Sequence, residues 1–431
     1  MRRTTTLTAL ALIGLAVPGL ALLGPSAATG AAGTCQGRTA TIVGDPGRAV
    51  VGTEDSDVIL THGATAVHAL GGNDLVCVTG RRTVSVTVEA GSGDDVVDAH
   101  DGPGQPVLAD LGTGTDTFLG GPGDDRVELA YPDNTSGIDV VRGGEGDDQL
   151  QLQTGPGAAV IDNAAGGFTS AGVLLAQWSD LEDFWVMTPP APRHLTFEGS
   201  TARDRLVHDS WQPAVLDVDL GAGDDVVETR LPPLSGSRLE GGKGTDLVAI
   251  ASEGSPLALD LALGRLGVRL PDPYDVDAAG FEDAEVFAPE VLLAGTRGDN
   301  RLGVMACAGV VTGRAGDDVL RRQYDATFET DLDCSDSLTF SGGQGSDRFR
   351  GHGGDDTISG GPGRDVINGR GGDDLVRGNG GADRIWGKGG DDTVYGGGGD
   401  DRIVGGPGRD RALGGQGRDR CDADVEKSCE R

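Results

Sequence analysis

Residues 342–422 are nine consecutive nine-residue units without a gap, each with glycine first, glycine fourth and aspartate sixth. The first unit reads Gly342-Gly343-Gln344-Gly345-Ser346-Asp347-Arg348-Phe349-Arg350. The sixth positions are Asp347, Asp356, Asp365, Asp374, Asp383, Asp392, Asp401, Asp410 and Asp419. The eighth are Phe349, Ile358, Ile367, Val376, Ile385, Val394, Ile403, Ala412 and Cys421. Such a strict period restricts the segment to a stack of identical turns and short strands. Six glycine-rich residues make a turn, because glycine tolerates positive φ and close backbone approach. The remaining three make a strand whose middle side chain points inward. Two units then form one coil, and coils stack about 4.8 Å apart.

The unit resembles the hemolysin-type calcium-binding (RTX) nonapeptide, GGxGxDxUx, where U is a large apolar residue. The resemblance implies a parallel β-roll at 342–422 that binds Ca2+ through the nine sixth-position aspartates. Physical reasoning points the same way. Ordering a residue costs roughly 1–2 kcal/mol, whereas the one buried Ile or Val per unit returns about 1.5–3 kcal/mol. A hard cation can supply the missing cohesion, since Ca2+ takes six to eight oxygens from carboxylates and carbonyls at roughly 2.3–2.6 Å. If each unit pairs with the next but one, nine units make up to seven complete sites. Without metal the segment is expected to be a solvated, disordered Gly/Asp tract.

Upstream, looser versions of the turn recur at irregular spacing, such as Gly71-Gly72-Asn73-Asp74, Gly93-Asp94-Asp95 and Gly114-Thr115-Asp116. Those near Asp125, Asp148, Asp225, Asp246 and Asp318 are further candidate calcium turns. Alternating stretches between them, such as Val84, Val86 and Val88, read as short strands. A segment of about 100 residues is also duplicated: Leu181-Glu182-Asp183 and Phe281-Glu282-Asp283 occupy matching places. The fold class expected is all-β: a right-handed parallel β-solenoid ending in an RTX-type parallel β-roll. The expected divisions are a signal peptide at 1–32, degenerate solenoid turns at 33–106 and two tandem units at 107–341. The nine-repeat roll at 342–422 and a capped tail at 423–431 complete them. Phe168, Trp178, Phe184, Trp185 and Phe197 form the one aromatic-dense stretch, expected to pack in the core rather than form a carbohydrate platform.

Arg2 and Arg3 precede an apolar run at 7–23 and then small residues, the pattern of a secretory signal cleaved after Ala28 or Ala32. A membrane span is the weaker reading, because Gly14, Pro18 and Gly19 interrupt a run short for a bilayer. The protein is expected to be secreted, with attachment at the cell surface as one variant. Many RTX proteins leave by a route read at the carboxyl terminus, and an amino-terminal signal departs from that pattern. Six cysteines in an exported chain read as three disulfides, Cys35–Cys77, Cys307–Cys334 and Cys421–Cys429 by proximity. A cysteine metal site is the poorer alternative, since no CxxC pair occurs.

The formal net charge is −33, yet 342–422 holds 14 aspartates against 12 Arg or Lys. Calcium loading would turn the roll basic while the upstream part stays acidic. The partners this suggests are calcium and, for the basic roll, either the acidic upstream part of the chain or an anionic cell-wall or extracellular polysaccharide. A more modest reading is that the arginines only neutralise spare carboxylates. Nucleic acid is disfavoured for so acidic a chain. HExxH and GxSxG are absent, which argues against a zinc protease and a lipase elbow. The favoured reading is a non-enzymatic structural or interaction module without catalytic residues. The alternative is a calcium-dependent polysaccharide lyase or epimerase on the upstream solenoid, with Asp110, Asp217, Asp219, Arg193 and Tyr274 as loose candidates.

Overall fold

The computed structural model describes residues 33–80, 85–129, 137–155, 157–188, 194–268, 274–322 and 337–430. The expected signal peptide lies outside the described residues. Every element among the described residues is a β-strand. After an amino-terminal hairpin of Thr34–Cys35 and Arg38–Thr39, successive strands of the regular coils alternate between two long parallel sheets. Sheet one runs from Ile42–Val43 to Val425–Lys427, and sheet two from Ala49–Val51 to Arg420–Asp422. Each ladder is open, because the described strands at its two ends do not pair with each other. The all-β parallel solenoid expected from the repeat is the architecture observed.

The register follows from the sequence period. On sheet two Phe349 lies opposite Ile367, then Ile385, Ile403 and Cys421. On sheet one Phe340 lies opposite Ile358, then Val376, Val394 and Ala412. Each unit therefore pairs with the next but one, and the eighth positions form two columns that meet inside the coil. Ile358, Ile367, Val376, Ile385 and Ala412 are fully buried. These columns continue one apolar core from Val50 to Ala412. Corresponding turns are 18 residues apart in the roll but 21 or 23 apart over much of the upstream part, so the upstream coils are wider.

Two interruptions depart from a purely parallel solenoid. Ala159–Asp162, Gly167–Ser170 and Val173–Ser179 form an antiparallel meander, and so do Leu257–Asp260, Arg265–Val268 and Tyr274–Ala279. In each, the last strand continues the sheet from the coil before, and the first pairs with the coil after. The sequence duplication thus repeats one inserted hairpin plan. The reversals use short turns in which Gly166 and Gly264 adopt left-handed φ of 67° and 63°. Phe168, Trp178, Phe184 and Phe197 are buried at the first meander. Phe184 packs 5.5 Å from Trp178 and 5.4 Å from Phe197, ring to ring, and Trp178 Nε1 donates to Asn163 at 2.7 Å. These four aromatics are core, whereas Trp185, on the opposite face of its strand from Phe184, is only half-buried.

Disulfides close both ends. Cys35–Cys77 ties the hairpin to sheet one, and Cys421–Cys429 ties the tail to the last coil. Cys307 is also disulfide-bonded; its expected partner Cys334 lies outside the described residues. The tail adds the strand Val425–Lys427 beside Arg411–Gln416, and the Glu430 amide donates to the Asp419 carbonyl at 2.7 Å. The tail thus extends sheet one by a strand past the last unit of the roll, while Arg420–Asp422 remains the end strand of sheet two.

Candidate metal sites along the turn edges

Each sixth-position aspartate of the roll folds into the coil, where all nine are at most 2% exposed. One carboxylate oxygen continues the stacking. Asp365 Oδ1 accepts the Asp347 amide at 2.9 Å, Asp383 the Asp365 amide at 2.9 Å and Asp401 the Asp383 amide at 2.9 Å. The other edge repeats this, with Asp374, Asp392 and Asp410 accepting from the coil before at 2.8, 2.9 and 3.0 Å. Two carboxylate ladders thus run along the solenoid, one entering each sheet.

The second oxygen is the functional clue. In Asp347, Asp365, Asp374, Asp383, Asp392, Asp401, Asp410 and Asp419 it is buried without a hydrogen-bond partner. An unpartnered buried carboxylate oxygen is costly. Burial, opposed by the amide of the previous coil, raises the Asp374 pKa to about 8 and that of Asp365 to about 7. The same cause raises Asp392 and Asp401 to about 6.

The free oxygen faces the first glycine of its own unit. A methyl group on Gly342 would overlap Asp347 Oδ2 and lie 2.7 Å from the Gly360 carbonyl. On Gly369 it would overlap Asp374 Oδ2 and lie 2.8 Å from the Gly387 carbonyl. The first glycine thus keeps a notch clear between a carboxylate and a carbonyl of the next coil. No three His, Cys, Asp or Glu side chains converge among the described residues. The donors are one carboxylate per turn plus backbone carbonyls, which suits a hard oxygen-seeking cation such as Ca2+ rather than zinc.

The family profile of the RTX calcium-binding nonapeptide repeat matches residues 86–103, 110–128 and 133–155. It also matches 341–376, 360–394, 377–412 and 395–425 in overlapping copies. The chain carries RTX calcium-binding repeats. They imply a calcium-binding β-roll at the carboxyl end. No curated protein matches the chain.

Within the RTX ladder the nine aspartates are not equivalent, contrary to the uniform expectation from sequence. The second oxygen of Asp356 accepts the His352 amide at 2.9 Å and contacts its ring Nδ1 at 3.1 Å. The difference lies in the backbone at the second position of the unit. Gly343, Arg370, Asn379 and Lys388 are left-handed there, with φ of 111°, 85°, 77° and 89°. His352 is not among the positive-φ residues, and its amide closes the carboxylate.

The same two states occur upstream. Of the sequence candidates, Asp148, Asp225, Asp246 and Asp318 keep a free oxygen. Asp125 does not: it accepts the Val107 amide at 2.8 Å and the Gly121 amide at 3.1 Å. Burial raises Asp148 and Asp318 to about 7 and Asp225 to about 6. Sequence reasoning did not single out Asp74, Asp95 and Asp116, which also carry a free oxygen, although their Gly/Asn-Asp turns were visible. It also missed Glu182 and Glu282, which accept the previous coil's amide as the aspartates do, and Asn300, whose amide donates to Asp318 while its own side-chain oxygen accepts the Thr296 amide. Glu182 and Glu282 were legible as matching members of the duplicated segment.

Among the described residues, those of the enzyme alternative are not assembled into one groove. Asp110 belongs to sheet two, whereas Asp217 and Asp219 lie on sheet one. Tyr274 begins a strand of a meander on sheet one, and Arg193 lies outside the described residues.

Proposed function

We propose that the protein is a secreted structural and interaction module whose nine-repeat roll, residues 342–422, folds as Ca2+ enters the notches between coils. The observation that carries this reading is the row of buried aspartates with one oxygen paired to the previous coil and one free. A bound cation offsets the cost of that free oxygen and cross-links neighbouring turns, so ion binding and folding are one event. Eight notches of the roll are open, and the Asp419 notch faces the Ser428 carbonyl of the tail. The roll would accordingly hold up to eight ions, one more than unit pairing alone suggests. An amino-terminal segment of signal-peptide character and paired cysteines support export to a calcium-rich, oxidising exterior.

The outer face of sheet two supports an anionic polysaccharide as partner. Arg384, Arg402 and Arg420 stack in register there, exposed and without an ion pair to a carboxylate among the described residues. Upstream on the same sheet, Arg205 pairs with Glu228 at 2.8 Å and Arg301 with Asp283 at 3.5 Å. Like charges stacked directly opposite are unfavourable, and a polyanion would relieve them. Nothing favours the lyase or epimerase reading.

Circular dichroism of the intact chain, stripped with EGTA and titrated with calcium, tests the folding claim. A saturable gain of β signal that magnesium does not reproduce is expected. A spectrum indifferent to calcium would refute it.

A further inference from the structure

A free carboxylate oxygen is present in more turns than can offer a notch. At Asp74, Asp95, Asp116 and Asp225 the residue four places earlier is left-handed: Leu70, Gly91, Gly112 and Gly221, with φ of 78°, 105°, 77° and 89°. The amide there is turned away and the second oxygen is unpartnered, as in the roll. The residue five places earlier, however, is Ala69, Ala90, Leu111 or Leu220, each fully buried. A side chain begins where the roll has only the hydrogen of its first glycine.

Among the described residues, three other turns outside the nine-unit run combine both features. At Asp148 the first position is Gly143 and the second is Gly144, with φ of 107°. A methyl on Gly143 would overlap the Asp180 carbonyl and lie 2.5 Å from Asp148 Oδ2. At Asp246 the pair is Gly241 and Gly242, again with φ of 107°. A methyl on Gly241 would overlap the Gly280 carbonyl and lie 2.9 Å from Asp246 Oδ2. At Asp318 the pair is Gly313 and Arg314, with φ of 85°, and the Gly342 carbonyl lies 2.7 Å from the methyl position. All three aspartates are at most 1% exposed, with Oδ2 unpartnered.

Asp148 and Asp246 share a further feature. Each precedes an inserted meander, and the next coil supplies glutamate instead of aspartate. Glu182 accepts the Asp148 amide at 3.0 Å and Glu282 the Asp246 amide at 3.0 Å. The longer side chain restores the ladder contact across the insertion and keeps a carboxylate beside the notch. The two sites are built alike in the two tandem units, and the RTX match covers Asp148 but neither Asp246 nor Asp318.

We propose that cation binding along this solenoid requires two backbone conditions together, glycine at the first position and a left-handed second position. Asp148, Asp246 and Asp318 then bind Ca2+ as the open turns of the roll do. Asp74, Asp95, Asp116 and Asp225 do not, despite the same free oxygen. Asp125, Asp204 and Asp356 are closed by the amide of Gly121, Ser200 and His352. The proposal rests on the reading that the roll's notches hold calcium, and at Asp246 and Asp318 it extends that reading into turns outside the matched repeats.

Native mass spectrometry of the intact calcium-loaded chain counts bound ions one at a time. Asp246→Asn keeps the Oδ1 acceptor of the Asp225 amide while removing the charged ligand, and should lose one ion. Asp225→Asn should lose none, and Gly241→Ala, which fills the notch, should match Asp246→Asn. His352→Gly should gain one, because Gly351 already meets the first condition. Equal loss in Asp225→Asn and Asp246→Asn would overturn the two-condition rule, as would an undiminished count in Asp246→Asn. A wild-type chain that binds no calcium would overturn the reading of the roll as well, a result separable from either of those.

Discussion

Asp374→Asn should change stability in opposite directions with and without calcium. Asparagine retains Oδ1 to accept the Asp356 amide, 2.8 Å away, and places an amide group beside the Gly387 carbonyl. In the metal-free chain the wild-type carboxylate is a liability. Its pKa is raised from 3.8 to about 8, chiefly by burial. At pH 7 the unfolded chain holds it ionised while the fold requires it protonated. At about 1.4 kcal/mol per pH unit that difference costs the metal-free roll about 4 kcal/mol. Removing the charge should recover about 2–4 kcal/mol in excess EGTA. In calcium the sign reverses, because a ligand is lost; one ion at hundredfold saturation stabilises by about 2.7 kcal/mol. Circular dichroism in EGTA, where the substitution should raise the folded fraction, and urea titration in calcium, where it should lower the midpoint, would measure the two effects. Destabilisation of equal size in the two conditions would refute the reasoning, since Asp374 would then act only as a hydrogen-bond acceptor.

Other consequences follow from the same ladder. The folded pKa values of Asp365, Asp374, Asp392 and Asp401 lie above the unfolded value. Stability of the metal-free roll should therefore fall as pH rises from about 4 to 8 and return on acidification. Circular dichroism in EGTA across that range checks this, and a loss of β signal on acidification would contradict it. Asp374→Ala, mid-stack, should reduce calcium cooperativity more than Asp419→Ala at the tail; equal effects in calorimetry would contradict nearest-neighbour coupling. Cys421→Ser together with Cys429→Ser should free the tail that supplies Asp424 to the Asp410 amide and the Ser428 carbonyl to the last notch. The expected cost is about 2–3 kcal/mol, from the small loop released, seen as a lower melting temperature in calcium.

The roll was legible because its period fixes both which side chain enters the core and which turn stacks on which. Phe349, Ile367 and Ile385 line up as eighth positions must once units pair with the next but one. The meanders were not legible. Their strands, such as Leu257–Asp260 and Arg265–Val268, read as ordinary rungs, and strand direction is set by a turn rather than by alternation. The state of each carboxylate was also hidden, because it depends on φ four residues earlier in the same turn. His352 looks like a permissible variant of a glycine, and only its backbone conformation brings its amide onto Asp356. Arg370 and Lys388 look just as foreign at that position, yet both adopt the left-handed conformation and leave Asp374 and Asp392 open. Glu182 and Glu282 stood out only as a repeated motif, since the contact each makes bridges 34 or 36 residues.

The central claim is that ions held between coils create the roll. Amide hydrogen exchange of the wild-type chain, resolved at residues 347–419, addresses it directly. Sixth-position amides such as those of Asp365, Asp374 and Asp383, each bonded to a carboxylate one coil on, should be strongly protected in calcium. In excess EGTA at pH 7.5 they should exchange at nearly the rate of an unstructured chain. Protection that survives chelation undiminished would mean that the glycine turns and the apolar columns hold the roll by themselves.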